Sequence, residues 1–301
     1  MRQRTTFGAG RLAVWALALV WGIGAPMTGS PAAVFAAEPQ PVVNADEYFP
    51  DSMGSLWRYR GQLIEGPLQK IATNLFVNVS TVQGTETRKG VIVKVFHDTN
   101  PGNHGPSDSY YRRDSVGIVY YGSEPGTPLE KQLVPYQIVR FPLVVPSSFE
   151  QFDRKGLNLG SDLDGDDKDE RVDVEATVTV SGRETVVVPA GSYAETIRLE
   201  ARLKMRIHLT GEKRTVLGSD IMTAWFAKGV GLIKYVERQE LPALKSDRGV
   251  VTEIIEELEE VVIKPQSASL RGREPSAQGV LADHAADHEL LQIILPAGLR
   301  P

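Results

Sequence analysis

The sequence predicts a mainly all-β protein built on a curved antiparallel sheet, an open half-barrel or a sandwich, with few short helices. The clearest observation is the strict alternation of apolar and polar side chains from Ile197 to Leu209. Only an extended chain places all the apolar members of such a pattern on one face. A second alternation runs from Val172 to Val180. Strands with one dry face and one wet face are typical of antiparallel sheets that cover a core.

Residues 1–37 have the features of a secretory signal peptide. Three arginines precede an apolar run over residues 12–23, which is short for a membrane span, and small residues then favour cleavage after Ala36 or Ala37. We therefore expect an exported, soluble protein, periplasmic or extracellular, with no transmembrane segment after cleavage.

Composition narrows the classes of partner. The 301-residue chain has a formal charge of −5, which becomes −8 once the three arginines of the signal are removed. An acidic chain is a poor electrostatic match for nucleic acid, so none is expected as a partner. Cysteine is absent. Stability must therefore come from a core, and a chain of this size buries roughly 70–75% of its unfolded surface.

The rest of the chain divides into three parts. Residues 38–46 are predicted to be a linker, residues 47–264 an antiparallel β domain, and residues 265–301 a flexible tail with a short helix over 280–295. Within the domain, Ser181-Gly182 is expected to be a turn. Residues 250–264 fit both a helical stripe and a closing strand, and the sheet context favours the strand. Further strand-like runs are Asn74–Val82, Val91–Phe96, Gly117–Tyr121 and Gln132–Val145.

An acidic loop is the sharpest candidate site. Its oxygen donors have the spacing of a single-loop calcium site: the side chains of Asp162, Asp164, Asp166, Glu170 and Asp173, and the backbone carbonyl of Lys168. The motif resembles the Asp-x-Asp-Gly-Asp loops of integrin-type propellers and dockerins. Two departures are Asp167, where glycine is usual, and the shorter Asp173 in place of glutamate. Calcium is therefore the candidate cofactor, in a structural role, and the alternative is a solvated acidic hairpin tip.

Other polar groups have simpler interpretations. His284 and His288 are spaced to share one helix face and to hold zinc or copper, but no third ligand is evident, and a polar helix face is the better interpretation. The basic face of the strand at Ile197–Leu209 is expected to pair with acids such as Asp173 and Glu175 on a neighbouring strand. No Gly-x-Ser-x-Gly, His-Glu-x-x-His or phosphate-loop motif occurs, so we predict no catalytic residues and no enzyme.

Three phrases in a fixed order carry a family resemblance. They are Tyr48-Phe49-Pro50…Gly54-Ser55-Leu56-Trp57-Arg58-Tyr59, Val187-Val188-Pro189-Ala190-Gly191-Ser192-Tyr193-Ala194-Glu195-Thr196-Ile197 and Ala224-Trp225-Phe226-Ala227-Lys228-Gly229-Val230-Gly231-Leu232-Ile233-Lys234-Tyr235. Together they resemble the TapB-like and DUF3108-like exported proteins of bacteria. The resemblance implies a curved antiparallel sheet similar to the half-barrels of lipoprotein carriers, and it implies no catalytic residues.

Three functions follow as hypotheses. The first is an exported, non-enzymatic binding or envelope-structural domain with a calcium-stabilised loop, whose partner would be an envelope protein. The second is a carrier of a lipid or other hydrophobic small molecule in a half-barrel groove. The third, ranked lowest, is a hydrolase with a dispersed site. An apolar groove inside the sheet favours the carrier, a filled interior favours the structural domain, and convergent carboxylates would favour the enzyme.

Overall fold

The computed structural model describes residues 38–68, 70–100, 102, 105–242, 244 and 249–265. The predicted signal peptide, the tail beyond residue 265 and the His284/His288 pair lie outside these residues. Within the described ranges, no helix is long and apolar enough to cross a membrane.

Fourteen strands and two short helices make up the described chain. In chain order they are β1 Gln40–Pro41, a 3-10 helix Ala45–Tyr48, β2 Leu56–Pro67, β3 Ala72–Arg88, β4 Val91–Asp98, β5 Ser107–Asp114, β6 Gly117–Glu124, α1 Pro128–Leu133, β7 Tyr136–Arg140, β8 Val144–Val145, β9 Ser147–Asn158, β10 Arg171–Val188, β11 Gly191–Leu209, β12 Arg214–Ala227, β13 Gly231–Leu241 and β14 Val250–Val262. The predicted all-β class is confirmed.

Twelve of the strands form a single antiparallel sheet. Its order is β7-β6-β5-β4-β3-β2-β14-β13-β12-β11-β10-β9, which is two meanders joined where β2 pairs with β14. The two edges, β7 and β9, are linked by only the six residues 141–146. Such a link spans at most about 25 Å, whereas the edges of a flat sheet of this width would lie about 53 Å apart. The sheet must therefore curl, and it is nearly closed into a barrel.

Side chains hold the two edges together. The Gln151 side-chain amide donates to the Gln137 carbonyl oxygen at 3.0 Å, and the Arg140 guanidinium donates to the Glu150 carbonyl oxygen at 3.3 Å. The Tyr136 and Phe152 rings meet across the same line at 5.3 Å between centroids. We call this line between β7 and β9 the seam.

The alternation in β11 is confirmed as a strand with its apolar face inward. Ile197, Met205 and Ile207 are at most 1% exposed, and β11 pairs with β10 on one side and β12 on the other. On the outer face, Arg206 lies 3.7 Å from Glu175, as expected for a basic face beside an acidic strand. Burial of three large aliphatic side chains at this strand stabilises the fold by several kcal/mol, at about 1.5–3 kcal/mol each.

Local assignments differ from the prediction at two places. The range Gln132–Val145 is not one strand. Its first two residues belong to α1, which ends at Leu133, and β7 follows. Pro142 comes after β7, and β8 is the last part of the range that is a strand. The predicted turn at Ser181-Gly182 is instead a β-bulge region, since β10 continues through it with register shifts after Ser181. Residues 250–262 form a strand, as the sheet context indicated.

The segment predicted to be a linker, residues 38–46, packs against the domain. Gln40 and Pro41 pair with Val145 and Val144, and Val42 is buried at 8% exposure. The Val42 amide also donates to the Leu143 carbonyl oxygen at 2.8 Å.

Candidate functional site

A cavity of about 610 Å³ lies on the inner face of the sheet. Small side chains on adjacent strands leave room for it. Ala201 on β11 is opposite Val178 on β10 and Met222 on β12, and Ala224 is opposite Leu199. Large side chains close the interior elsewhere, in clusters built around Ile207 and other buried aliphatic residues.

A continuous band of aromatic rings forms one wall of the cavity. The rings follow one another at centroid distances of 5.2–6.2 Å, which is the range of favourable aromatic pairs. The band starts on β2, passes over β3, continues on β4, β5, β6 and β7 and ends on β9 beyond the seam. Its members are Trp57, Phe96, Tyr111, Tyr120, Tyr136 and Phe152.

Acidic side chains also point into the cavity. They are Asp51, Asp98, Glu130, Asp220, Glu237 and Glu256. Asp51 is paired with Arg113 at 2.8 Å, and Arg113 also donates to the Phe49 carbonyl oxygen. The Tyr235 hydroxyl donates to Glu237 at 2.6 Å, and the Asn78 amide donates to Asp98 at 3.0 Å.

Two of these carboxyls are buried with one oxygen unsatisfied. Asp220 and Glu256 are each 7% exposed. Asp220 shares a hydrogen bond with Glu237, and Glu256 has one with Asn78, but Oδ1 of Asp220 and Oε1 of Glu256 have no partner among the described residues. A buried polar atom without a partner costs about 1–3 kcal/mol. The folded protein therefore holds two buried carboxyl oxygens without a donor in residues that line the cavity.

Burial changes the protonation of this group. Loss of water contact raises the pKa of Glu256 to about 8, and the nearby charge of Asp98 adds to the shift. Burial also raises the pKa of Asp220, Glu237 and Asp98; for Asp220 the neighbouring Glu237 charge acts in the same direction. Glu256 therefore retains its proton near neutral pH when nothing compensates its charge, and the balance of the other three is shifted in the same direction.

The three phrases that carry the family resemblance meet at one place beside the cavity. The Trp57 indole donates to the Val230 carbonyl oxygen at 2.6 Å, and the Tyr59 hydroxyl donates to the Leu232 carbonyl oxygen at 3.0 Å. Val188 packs into the same cluster. Gly231 has φ +92°, and a Cβ there would lie 3.2 Å from the Pro50 ring. The glycine thus lets the chain pass close to the first phrase.

The acidic loop brings together three of its six predicted calcium ligands. Carboxylate oxygens of Asp162, Asp164 and Asp166 lie within 4.8 Å of one another. Asp162 accepts hydrogen bonds from the amides of Gly165, Asp166 and Asp167, and these bonds lower its pKa. Asp167 has φ +63°, so it adopts the left-handed conformation for which calcium loops use glycine.

Two of the other predicted ligands, the carboxylates of Glu170 and Asp173, bind elsewhere. Glu170 is fully buried and accepts from the amides of Leu163 and Thr210. Asp173 accepts from His208 at 3.1 Å and from the Gly156 amide, and Lys168 contacts Asp166 through its ammonium group at 3.4 Å.

The loop is also bound to the turn between β11 and β12. Asp164 Oδ2 accepts from the Gly211 and Glu212 amides, and Asp166 Oδ2 accepts from the Thr210 hydroxyl. The carboxylates therefore already serve as hydrogen-bond acceptors for the protein's own backbone.

Sequence reasoning missed the interior carboxyls. Glu256 belongs to a run of glutamates that resembles a helix surface, Asp98 and Asp220 are the single acids of their strands, and Glu237 shares its strand with Glu240. A polar residue at an inward position of an alternating strand is the only signal, and it is readable only once the register is known.

Comparisons with known proteins identify no family: no protein-family model matches the chain, and neither does any curated protein. Among solved structures, the chain is similar to a protein of Parabacteroides distasonis described as a candidate lipoprotein. The identity is 14%, the TM-score is 0.31, and the match covers 71% of this chain and 98% of the other. A likeness at this level carries no argument. The resemblance to TapB-like and DUF3108-like proteins stays a prediction.

Proposed function

We propose that the protein is an exported binding protein that carries a hydrophobic small molecule inside its nearly closed barrel. The observation that carries this proposal is the cavity of about 610 Å³ with its band of aromatic rings. Small-molecule sites typically enclose about 300–1,000 Å³ and have mostly apolar walls. A purely structural domain gains stability by filling such a space, since an unfilled void forgoes dispersion contacts.

The proposed cellular setting is the bacterial envelope or the outside of the cell. It is supported by the basic and apolar pattern of residues 1–37 and by the absence of cysteine, which frees the fold from disulfide formation. A carrier in this setting would shield an apolar compound from water between two membranes or outside the cell.

Binding of N-phenyl-1-naphthylamine, an uncharged fluorophore that brightens in apolar surroundings, tests the carrier role. The protein should bind the probe saturably, with one probe molecule per chain. Ala201→Trp should weaken binding on the order of tenfold or more, because the indole occupies the space between Val178 and Met222.

A matched control is Leu217→Trp, which adds an indole at a side chain that is 69% exposed on β12. It should leave binding unchanged. Ala224→Leu is a milder cavity-filling variant in case the tryptophan disturbs folding. Saturable binding that both cavity variants leave intact would contradict the carrier proposal, as would a lack of any binding by the parent protein.

We further propose that calcium, as a structural ion, binds the acidic loop. The proposal is supported by the approach of Asp162, Asp164 and Asp166 and by the left-handed conformation of Asp167. In that case the ion would use carboxylate oxygens that also accept bonds from the turn at Thr210–Glu212, and so would stiffen the connection between β10, β11 and β12.

The hydrolase hypothesis gains one observation. The Asp220–Glu237 and Asp98–Glu256 groups are convergent carboxyls with raised pKa values, a property of many acid–base catalysts. The described cavity wall nevertheless contains no histidine or cysteine beside them. A hydrolase would therefore rely on carboxyls alone, and the carrier remains the function that the geometry supports best.

A further inference from the structure

The walls of the cavity are strongly unequal in charge. Six carboxyl side chains face it, against two basic side chains among the described lining residues, Lys94 and Arg113. Arg113 is held by Asp51 at 2.8 Å and by the Phe49 carbonyl oxygen at 2.7 Å. Five carboxyls then face the cavity with Lys94 as the remaining described basic group.

Three of the acidic groups lie on one side of the barrel, and a fourth, Asp98, lies close to one of them. Asp220, Glu237 and Glu256 come from β12, β13 and β14, which are adjacent in the sheet. Asp98 lies close enough to Glu256 for its charge to act on it, and Asn78 bonds to both. The aromatic band covers the wall formed by β2, β4–β7 and β9. The cavity thus has an apolar, π-rich side and an acidic side.

The two unsatisfied oxygens indicate what kind of ligand the cavity would bind. Oδ1 of Asp220 and Oε1 of Glu256 are buried and have no donor among the described residues. A purely apolar ligand would leave both without a donor, and an anionic ligand would likewise supply no donor. A cation would supply donors and opposite charge together, and ring faces also attract cations.

We propose that the carried molecule is an amphiphilic organic cation, whose apolar body lies along the aromatic band and whose ammonium group donates to Asp220 and Glu256. This inference rests on the proposed carrier function and specifies its ligand class. The carboxyls at the cavity wall exchange their protons for the ligand's positive charge, because a neighbouring cation favours their ionised form.

Binding of the cation should therefore release protons and should strengthen as pH rises. The groups that face the two carboxyls are Tyr59 on β2, Asp98 on β4, Tyr136 on β7, and Tyr235 and Glu237 on β13. Burial raises the pKa of these tyrosines further above the neutral range, whereas it raises the pKa of Glu256 to about 8, so Glu256 is the group whose ionisation changes as the pH rises towards 8. Lys94 on β4 is a basic side chain in the wall of the same cavity.

Three ligands of matched shape test the inference on the full chain: 1-naphthylmethylamine, 1-naphthalenemethanol and 1-naphthoate. Calorimetric titration at pH 8 should show the amine binding at least about tenfold more tightly than the alcohol, with the carboxylate weakest. At pH 5 the advantage of the amine over the alcohol should shrink several-fold. Titration at pH 7 in two buffers of different ionisation enthalpy should show net proton release with the amine only.

The variant Asp220→Asn with Glu256→Gln should lose the advantage of the amine over the alcohol. Glu257→Gln is the control: it removes an acid that lies next to Glu256 on β14 and is bonded to Lys234 on β13. This variant should keep the advantage of the amine over the alcohol. Equal or tighter binding of the alcohol would overturn the cation inference and leave the carrier function standing. Failure of all three ligands and of the uncharged fluorophore would overturn both.

Discussion

The substitution Glu256→Gln should stabilise the ligand-free protein in a strongly pH-dependent way. The side chain is 7% exposed, and burial raises its pKa from 4.5 to about 8. Below pH 4.5 the carboxyl is protonated in the folded and the unfolded chain, so it contributes no pH dependence. Above pH 4.5 the unfolded chain ionises first, and folding must retain a proton. The free energy of unfolding then decreases by about 1.4 kcal/mol per pH unit until about pH 8.

The expected size of the effect follows from that window. The accumulated loss is about 3 kcal/mol at pH 7 and about 5 kcal/mol above pH 8. Glutamine has the same shape and does not ionise. The variant should therefore match the parent protein near pH 4 and exceed its stability by about these amounts at pH 7 and pH 9.

Urea unfolding followed by tryptophan fluorescence from pH 4 to pH 9 measures this difference. Glu257→Gln is the matched control, because Glu257 lies next in the strand and pairs with Lys234 at 2.9 Å in a partly exposed position. Its effect should stay within about 1 kcal/mol and vary little with pH. Parallel stability curves for Glu256→Gln and the parent protein would show that Glu256 is ionised and hydrated in the fold, and the reasoning about the buried carboxyls would be wrong.

Three further predictions concern stability. Calcium at 5 mM, but not magnesium, should raise the melting temperature by about 2–9 °C if the dissociation constant is about 10⁻⁴–10⁻³ M; Asp164→Ala with Asp166→Ala should abolish the calcium increment, and an increment that persists in this variant would refute the loop site. Gly61→Ala should lower the free energy of unfolding by about 1–3 kcal/mol, because the new Cβ would overlap the Phe76 ring. Adding Phe76→Leu to this variant should recover part of the loss, whereas a double variant whose loss equals the sum of the two single losses would argue against the overlap. Ile207→Ala should cost about 2–5 kcal/mol at a fully buried position, while Leu217→Ala at an exposed one should stay within about 0.5 kcal/mol, and similar losses in denaturant unfolding would contradict the inward face of β11.

Local patterning predicted the strands whose two faces differ most. β11 and the first part of β10 alternate so regularly that period two is readable without any tertiary information. β14 was ambiguous because its acids fit a helix, and it is a strand because β13 and β2 supply hydrogen-bonding partners on both sides.

The near closure of the sheet and the polar cavity depend on pairings that local sequence does not encode. β2 pairs with β14, and Glu256 thereby comes near Asp98, a residue more than 150 positions earlier in the chain. Inward polar residues such as Glu237 interrupt the apolar face that binary patterning looks for. In the acidic loop the spacing predicted a calcium site with six ligands, and three of its aspartates approach one another. It could not predict that Glu170 would turn inward to accept the Thr210 amide.

The wall of the barrel is held together least tightly at the seam. Along the rest of the twelve-stranded sheet, neighbouring strands are joined by a backbone ladder, so separating them would break many bonds at once. Between β7 and β9, contacts such as those of Gln151 and Arg140 with opposing carbonyl oxygens can be exchanged one by one for water. A bulky ligand can therefore enter through a transient opening at the seam, while the backbone hydrogen bonds between the other strands stay intact. If ligands enter in this way, the amides of β7 and β9 should exchange rapidly with deuterium, and the exchange should slow once a ligand occupies the cavity.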